Sequence, residues 1–84
     1  MPTAVFYTTQ GCPHCAKARA FLRKNETQFT EYDVNKDEIR WREAVALAGD
    51  RDIVPAIDID GKIFSEAYTV KMEHELKKAL GITR

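Results

Sequence analysis

Short apolar runs alternate with longer stretches of helical spacing along most of the chain. Residues 4–8, Ala-Val-Phe-Tyr-Thr, form an apolar, β-prone run that reads as a buried strand. Over residues 13–25 the apolar positions follow a helix. Cys15, Ala18 and Leu22 fall on one face at i, i+3 and i+7, with Phe21 beside them, while Lys17, Arg23 and Lys24 fall elsewhere. Residues 28–34 alternate polar and apolar, with Phe29 and Tyr32 as anchors, and predict a second strand. Asn35 followed by Glu38 reads as a cap and its helix start. The helix after it carries Ile39, Trp41, Ala44, Val45 and Ala48 on one broad face and ends at Gly49.

The second half changes character. Residues 53–59 predict a strand whose entry is marked by Pro55, and Asp60-Gly61 is a two-residue hairpin signal. Residues 62–65 form the return strand. A last helix over residues 67–80 turns Met72, Leu76, Ala79 and Leu80 inward, and Gly81 closes it. Strand, helix, strand with no hairpin between them implies a right-handed parallel crossover. The order βαβαββα is an α/β pattern, and one four-stranded mixed sheet with three helices on its two faces buries every apolar stripe.

Composition narrows the function classes. The 84 residues are expected to form one domain, 1–84, near the lower end of what folds alone. Thirteen basic residues balance thirteen acidic ones, so bulk charge gives no case for nucleic acid. No apolar run approaches the roughly 20 residues of a membrane span, and the start of the chain lacks a basic region followed by a long apolar core. The expectation is a cytoplasmic monomer.

The chemistry concentrates in Gly11-Cys12-Pro13-His14-Cys15-Ala16, which holds both cysteines of the chain. Two cysteines this close make a poor stabilising staple, because the entropic benefit of a disulfide grows with the loop it closes. A catalytic or metal-binding dithiol in a reducing compartment is the better reading. The pair lies at a strand-to-helix junction. Pro13 suits the first helical position, where its missing N–H would have had no partner. The unpaired N–H groups and positive dipole end there favour a thiolate at Cys12, and the thiolate is the reactive form. Cys15, one turn on, faces the sheet. An exposed Cys12 and a shielded Cys15 suit a nucleophile and a resolving thiol better than two equivalent metal ligands. His14 is the candidate tuning residue: an imidazolium beside Cys12 would stabilise the reduced form and make the disulfide more oxidising.

The alternative class is a metal or iron–sulfur cluster carrier using the same cysteines. Zinc wants four ligands. Cys12, Cys15 and His14 fall short, and His74 lies on a distant helix, so a metal site within one chain is not expected and a dimer would have to complete it. An idle structural pair is the third reading. Arg40, Arg42 and His74 read as solvated helix residues, and Trp41 as core or a half-exposed flank. Thr8 is placed to bond the turn that follows it.

Taken together, Val5-Phe6-Tyr7-Thr8, Cys12-Pro13-His14-Cys15, Tyr32-Asp33-Val34, Val54-Pro55 and Asp60-Gly61-Lys62 resemble a small glutaredoxin-like redoxin of the thioredoxin-fold superfamily. The resemblance covers nearly the whole chain. It implies a thiol–disulfide oxidoreductase that reduces protein or low-molecular-weight disulfides, with Cys12 as the attacking thiolate and Cys15 as the resolving thiol. It implies a cis bond before Pro55, a proline facing the dithiol, and substrate pairing with the backbone of Val54. No cofactor is needed beyond the Cys12–Cys15 disulfide. The implied partners are a disulfide-bearing protein and an electron donor, either a reductase or glutathione as co-substrate. The chain departs from the glutaredoxin pattern where that family binds a glutathione carboxylate. Ser65-Glu66 stands in place of a Gly-Gly pair, Tyr68 stands near the position of an Asp, and no Lys precedes the cysteine motif.

Overall fold

The computed structural model describes residues 4–50, 52–66 and 68–82. The chain runs β1 (Ala4–Thr8), α1 (Pro13–Lys24), β2 (Phe29–Asp33), α2 (Glu38–Leu47), β3 (Ala56–Ile59), β4 (Lys62–Ser65) and α3 (Val70–Leu80). The sheet order is β2-β1-β3-β4. β1 pairs parallel to β2 and antiparallel to β3, and β3 pairs antiparallel to β4. This is the mixed four-stranded α/β sheet with three helices that the hydrophobic pattern implies.

Strand alternation splits the apolar residues between two faces. On one face Ala4, Phe6, Ile57, Ile59 and Phe64 pack under α1 and α3, which contribute Cys15, Ala18, Phe21, Leu22, Met72 and Leu76. Burying a side chain such as Leu22 stabilises the fold by about 1.5–3 kcal/mol. On the other face Tyr7 and Ala56 meet Trp41 and Ala44 of α2. Val54, just before β3, packs against both clusters.

Several features differ from the sequence expectations. β3 begins at Ala56 rather than residue 53, because the Val54–Pro55 peptide is cis and the chain bends there before joining the ladder. α3 begins at Val70 rather than residue 67; Thr69 is its cap, accepting the Met72 N–H on its hydroxyl at 3.4 Å. Residue 67 lies outside the described residues. α2 is capped by Asp37, not Asn35. The Asn35 N–H instead bonds Asp33 Oδ1 at 2.8 Å in a turn that closes β2. Ile39 stays 80% exposed, because α2 lays only Trp41 and Ala44 fully against the sheet.

The hairpin follows its signal. Asp60 and Gly61 both have positive φ, 52° and 88°, and the Gly61 N–H bonds Asp58 Oδ1 at 2.8 Å.

Candidate active site

β1 ends at Thr8, and a four-residue turn lifts the chain off the sheet into α1. Gly11 sits at φ 71°, a left-handed conformation that a residue without Cβ adopts at no steric cost. Cys12 then caps α1 with extended backbone (φ −102°, ψ 106°), and Pro13 fills the first helical position. The Cys15 N–H donates to Cys12 Sγ at 3.1 Å. The Cys12 sulfur thus does for this helix what a Ser or Asp oxygen does at an ordinary N-cap.

The two sulfurs occupy different surroundings. Cys12 is half-buried and lines a shallow groove of about 450 Å³ with Gln10, Gly11, Pro13, Ala16 and Arg19. Cys15 is 1% exposed, within the core between α1 and the sheet. Burial pushes the Cys15 thiol pKa up, and the neighbouring Cys12 adds to the rise. Hydrogen bonding from the Thr8 side chain and the Thr9 backbone pulls the other way. Thr8 is itself buried, and its hydroxyl also lies 3.4 Å from the Thr9 carbonyl. Its bond to the turn is the one the sequence suggests. Its effect on the Cys15 sulfur carries no sequence signal beyond the even-numbered face it shares with Ala4 and Phe6.

Arg19 is a residue the motif gives no reason to single out. It lies one turn beyond Cys15 on α1 and forms a two-pronged bond with Glu31 of β2, Nε to Oε1 at 2.9 Å and Nη2 to Oε2 at 2.6 Å. The bond to Glu31 raises the arginine pKa further, with the charges of Cys15 and Cys12 adding to it. The clasp ties α1 to the edge strand and leaves a fixed guanidinium at the far end of the Cys12 groove.

His14 is exposed, and its Nδ1 lies 3.3 Å from the Tyr68 carbonyl. A carbonyl accepts only, so Nδ1 carries the proton. This contact joins the start of α1 to the segment entering α3. Tyr68 also packs on Phe21, with ring centroids 6.2 Å apart, and donates its hydroxyl to Glu73 Oε2 at 3.0 Å. Burial and that carboxylate push the Tyr68 pKa up. The same bond, assisted by Lys77, holds the Glu73 carboxyl below its usual range.

Pro55 is fully buried. The β1–β3 register runs from Ala4–Ile59 to Tyr7–Ala56, and Pro55 adjoins that last pair. Cys12 and Val54 pack against the same core cluster between the sheet and α1. Among the described residues, the N–H and C=O of Val54 make no hydrogen bond. The Ser65 hydroxyl donates to the Ile53 carbonyl at 2.6 Å and fixes the segment from the other side. Cys12, Pro13, His14, Cys15, Val54 and Pro55 therefore meet at one end of the sheet. Among the described residues no three His, Cys, Asp or Glu side chains gather as a metal-ligand set.

The family model for glutaredoxin matches residues 4–64. The chain belongs to the glutaredoxin family. It is 34% identical to Glutaredoxin 1 of Rickettsia prowazekii (strain Madrid E) over 82 residues, which cover 93% of this chain and 86% of that protein. It is 36% identical to Glutaredoxin 1 of Rickettsia typhi over 59 residues, 69% of this chain and 57% of that protein. That second match spans little more than half the length of the relative. Among solved structures, a mutant of the thioredoxin-like protein BC3987 superposes with a TM-score of 0.77 at 26% identity, over 95% of this chain and 96% of that one. Membership in this glutaredoxin family supports thiol–disulfide oxidoreduction as the general activity, and the Cys-Pro-His-Cys motif fits it.

Proposed function

We propose that this glutaredoxin reduces disulfides through a two-sulfur cycle in which Cys12 attacks and Cys15 resolves. The observation that carries the reading is the unequal pair: one sulfur at a helix tip with a backbone N–H aimed at it, the other sealed beneath. In the first step the Cys12 thiolate attacks one sulfur of the substrate disulfide. The substrate S–S bond breaks, a Cys12–substrate disulfide forms, and the departing sulfur takes a proton. In the second step Cys15 gives up its proton and attacks the Cys12 sulfur. The mixed disulfide breaks, the substrate leaves as a dithiol, and Cys12–Cys15 remains oxidised. Two electrons pass from protein to substrate, with one proton from Cys15 and one from solvent.

Val54 and Pro55 form the substrate side of the site in this reading, with the free Val54 N–H and C=O pairing the backbone of an incoming peptide. His14 tunes the pair from the α1 terminus. No cofactor enters the cycle, and cytoplasmic residence suits a dithiol that must return to its reduced form.

The donor is either glutathione or a thioredoxin-reductase-type enzyme. The corner that faces α3 favours the second. It presents Glu66 and the ionised Glu73, and its helix terminus is already capped by Thr69.

The test is trapping. Reduced Cys15→Ser protein mixed with a disulfide-bonded protein should accumulate a covalent adduct that dithiothreitol releases, and Cys12→Ser should form none. An adduct through Cys15, or turnover without Cys12, overturns the assignment. Offering the oxidised protein glutathione with glutathione reductase, or thioredoxin reductase with NADPH, identifies the donor.

A further inference from the structure

A row of residues stands at the end of the sheet beneath the dithiol. Thr8 pairs with Asp33. The β1–β3 and β3–β4 ladders end at Tyr7–Ala56 and Ala56–Ser65, so Pro55 and Glu66 each adjoin the last paired residue of their strand. The Ser65 hydroxyl donates to the Ile53 carbonyl, which ties the end of β4, just before Glu66, to the segment holding Val54 and Pro55. Asp33, at one end of the row, is taken up by the Asn35 N–H. Glu66, at the other end, is half-buried and has no cationic partner among the described residues.

We propose that Glu66 sets the charge preference of the site, favouring disulfides whose cysteine has a basic neighbour and disfavouring those with an acidic one. The inference deepens the oxidoreductase reading and rests on it. A peptide paired along Val54 lies next to the end of β4, so the residue flanking its cysteine on that side is held near the Glu66 carboxylate. The guanidinium at the opposite end of the groove does not compete on equal terms, because Glu31 already holds Arg19 by two bonds. Two exposed cations flank the region, Lys17 on α1 and Lys71 on α3. They oppose Glu66, attracting acidic peptides and repelling basic ones, and are the same in every Glu66 variant, so those variants isolate its own contribution.

The experiment uses three short peptides, each with one internal disulfide and with Lys, Ser or Glu beside the cysteines. The reduced, desalted protein is mixed with each, and the second-order rate of peptide reduction is followed by chromatography. The Lys peptide should react about threefold faster than the Glu peptide at low salt, the size expected of one partly exposed charge pair. The preference should shrink at high salt, fall in Glu66→Gln and reverse in Glu66→Lys. A ratio that Glu66→Lys leaves unchanged, while Cys12-dependent reduction continues, overturns the role of Glu66 and leaves the oxidoreductase reading standing. No reduction of any peptide, with Cys12→Ser indistinguishable from the unaltered protein, overturns both.

Discussion

Replacing Thr8 with valine keeps the shape of a buried side chain and removes the hydroxyl that lowers the Cys15 pKa. That hydroxyl favours the Cys15 anion, so its loss should raise the Cys15 pKa further. A hydrogen bond to a charged group contributes about 1.5–3 kcal/mol, but sulfur is a weak acceptor and the Thr9 N–H remains. About 1.4 kcal/mol is therefore expected, about a factor of ten in the protonation equilibrium. At a pH below that pKa the thiolate fraction falls about tenfold. A more basic thiolate is also the better nucleophile, with a Brønsted coefficient of about 0.4–0.5, which returns roughly threefold of the loss. The net expectation is a resolving step slowed about three- to fourfold, with the attack by Cys12 unaffected. Rapid mixing with a disulfide peptide, quenching with acid and counting mixed disulfide by mass spectrometry separates the two steps. Thr8→Val protein should hold a larger transient of the Cys12 adduct than the unaltered protein. An unaltered decay rate in a folded variant, or a slowed first step with a normal second, would refute the idea that Thr8 serves Cys15.

Two further outcomes follow from the same geometry. His14→Val removes both the imidazole at the α1 terminus and its tie to the Tyr68 carbonyl; it should make the Cys12–Cys15 pair more reducing by about 30 mV, near 1.4 kcal/mol, measured by equilibration against a glutathione redox buffer, and an unchanged or less negative potential refutes the tuning role. Burial raises the folded-state pKa of Cys15, so the unfolded chain releases that proton first; the stability tied to the neutral thiol is complete below the unfolded value of about 8.5 and is lost as pH climbs toward the folded one. Urea midpoints taken under reducing conditions from pH 8 to 10 should therefore fall with pH more steeply in the unaltered protein than in Cys15→Ala, and parallel slopes count against the burial argument.

Most of the framework was legible because its signals are local. The 3.6-residue spacing of Cys15, Ala18 and Leu22 and the Asp60-Gly61 dipeptide each act within a few residues. What escaped depends on partners far along the chain. Thr69, not residue 67, starts α3, because its hydroxyl reaches the Met72 N–H while Tyr68 is held by His14 and Glu73. The strand expected from residue 53 waits until Ala56, since β-propensity does not record a cis bond at Pro55. Ile39 fits the periodicity of α2 yet stays in water, because the sheet offers that helix a contact only as wide as Trp41 and Ala44. At the site, a spacing motif names Cys12 and Cys15, whereas Arg19 matters through Glu31, twelve residues on, and that pairing exists only once β2 lies beside β1.

The burial of Cys15 leaves a single doorway. In the proposed cycle, whatever delivers electrons to the oxidised pair and whatever withdraws them must both bond to the Cys12 sulfur, because the other is out of reach. Supplier and recipient therefore take turns, as in ping-pong kinetics. A recipient that lingers becomes an inhibitor of its own supply, so throughput depends on how quickly each visitor lets go rather than on how tightly it is held.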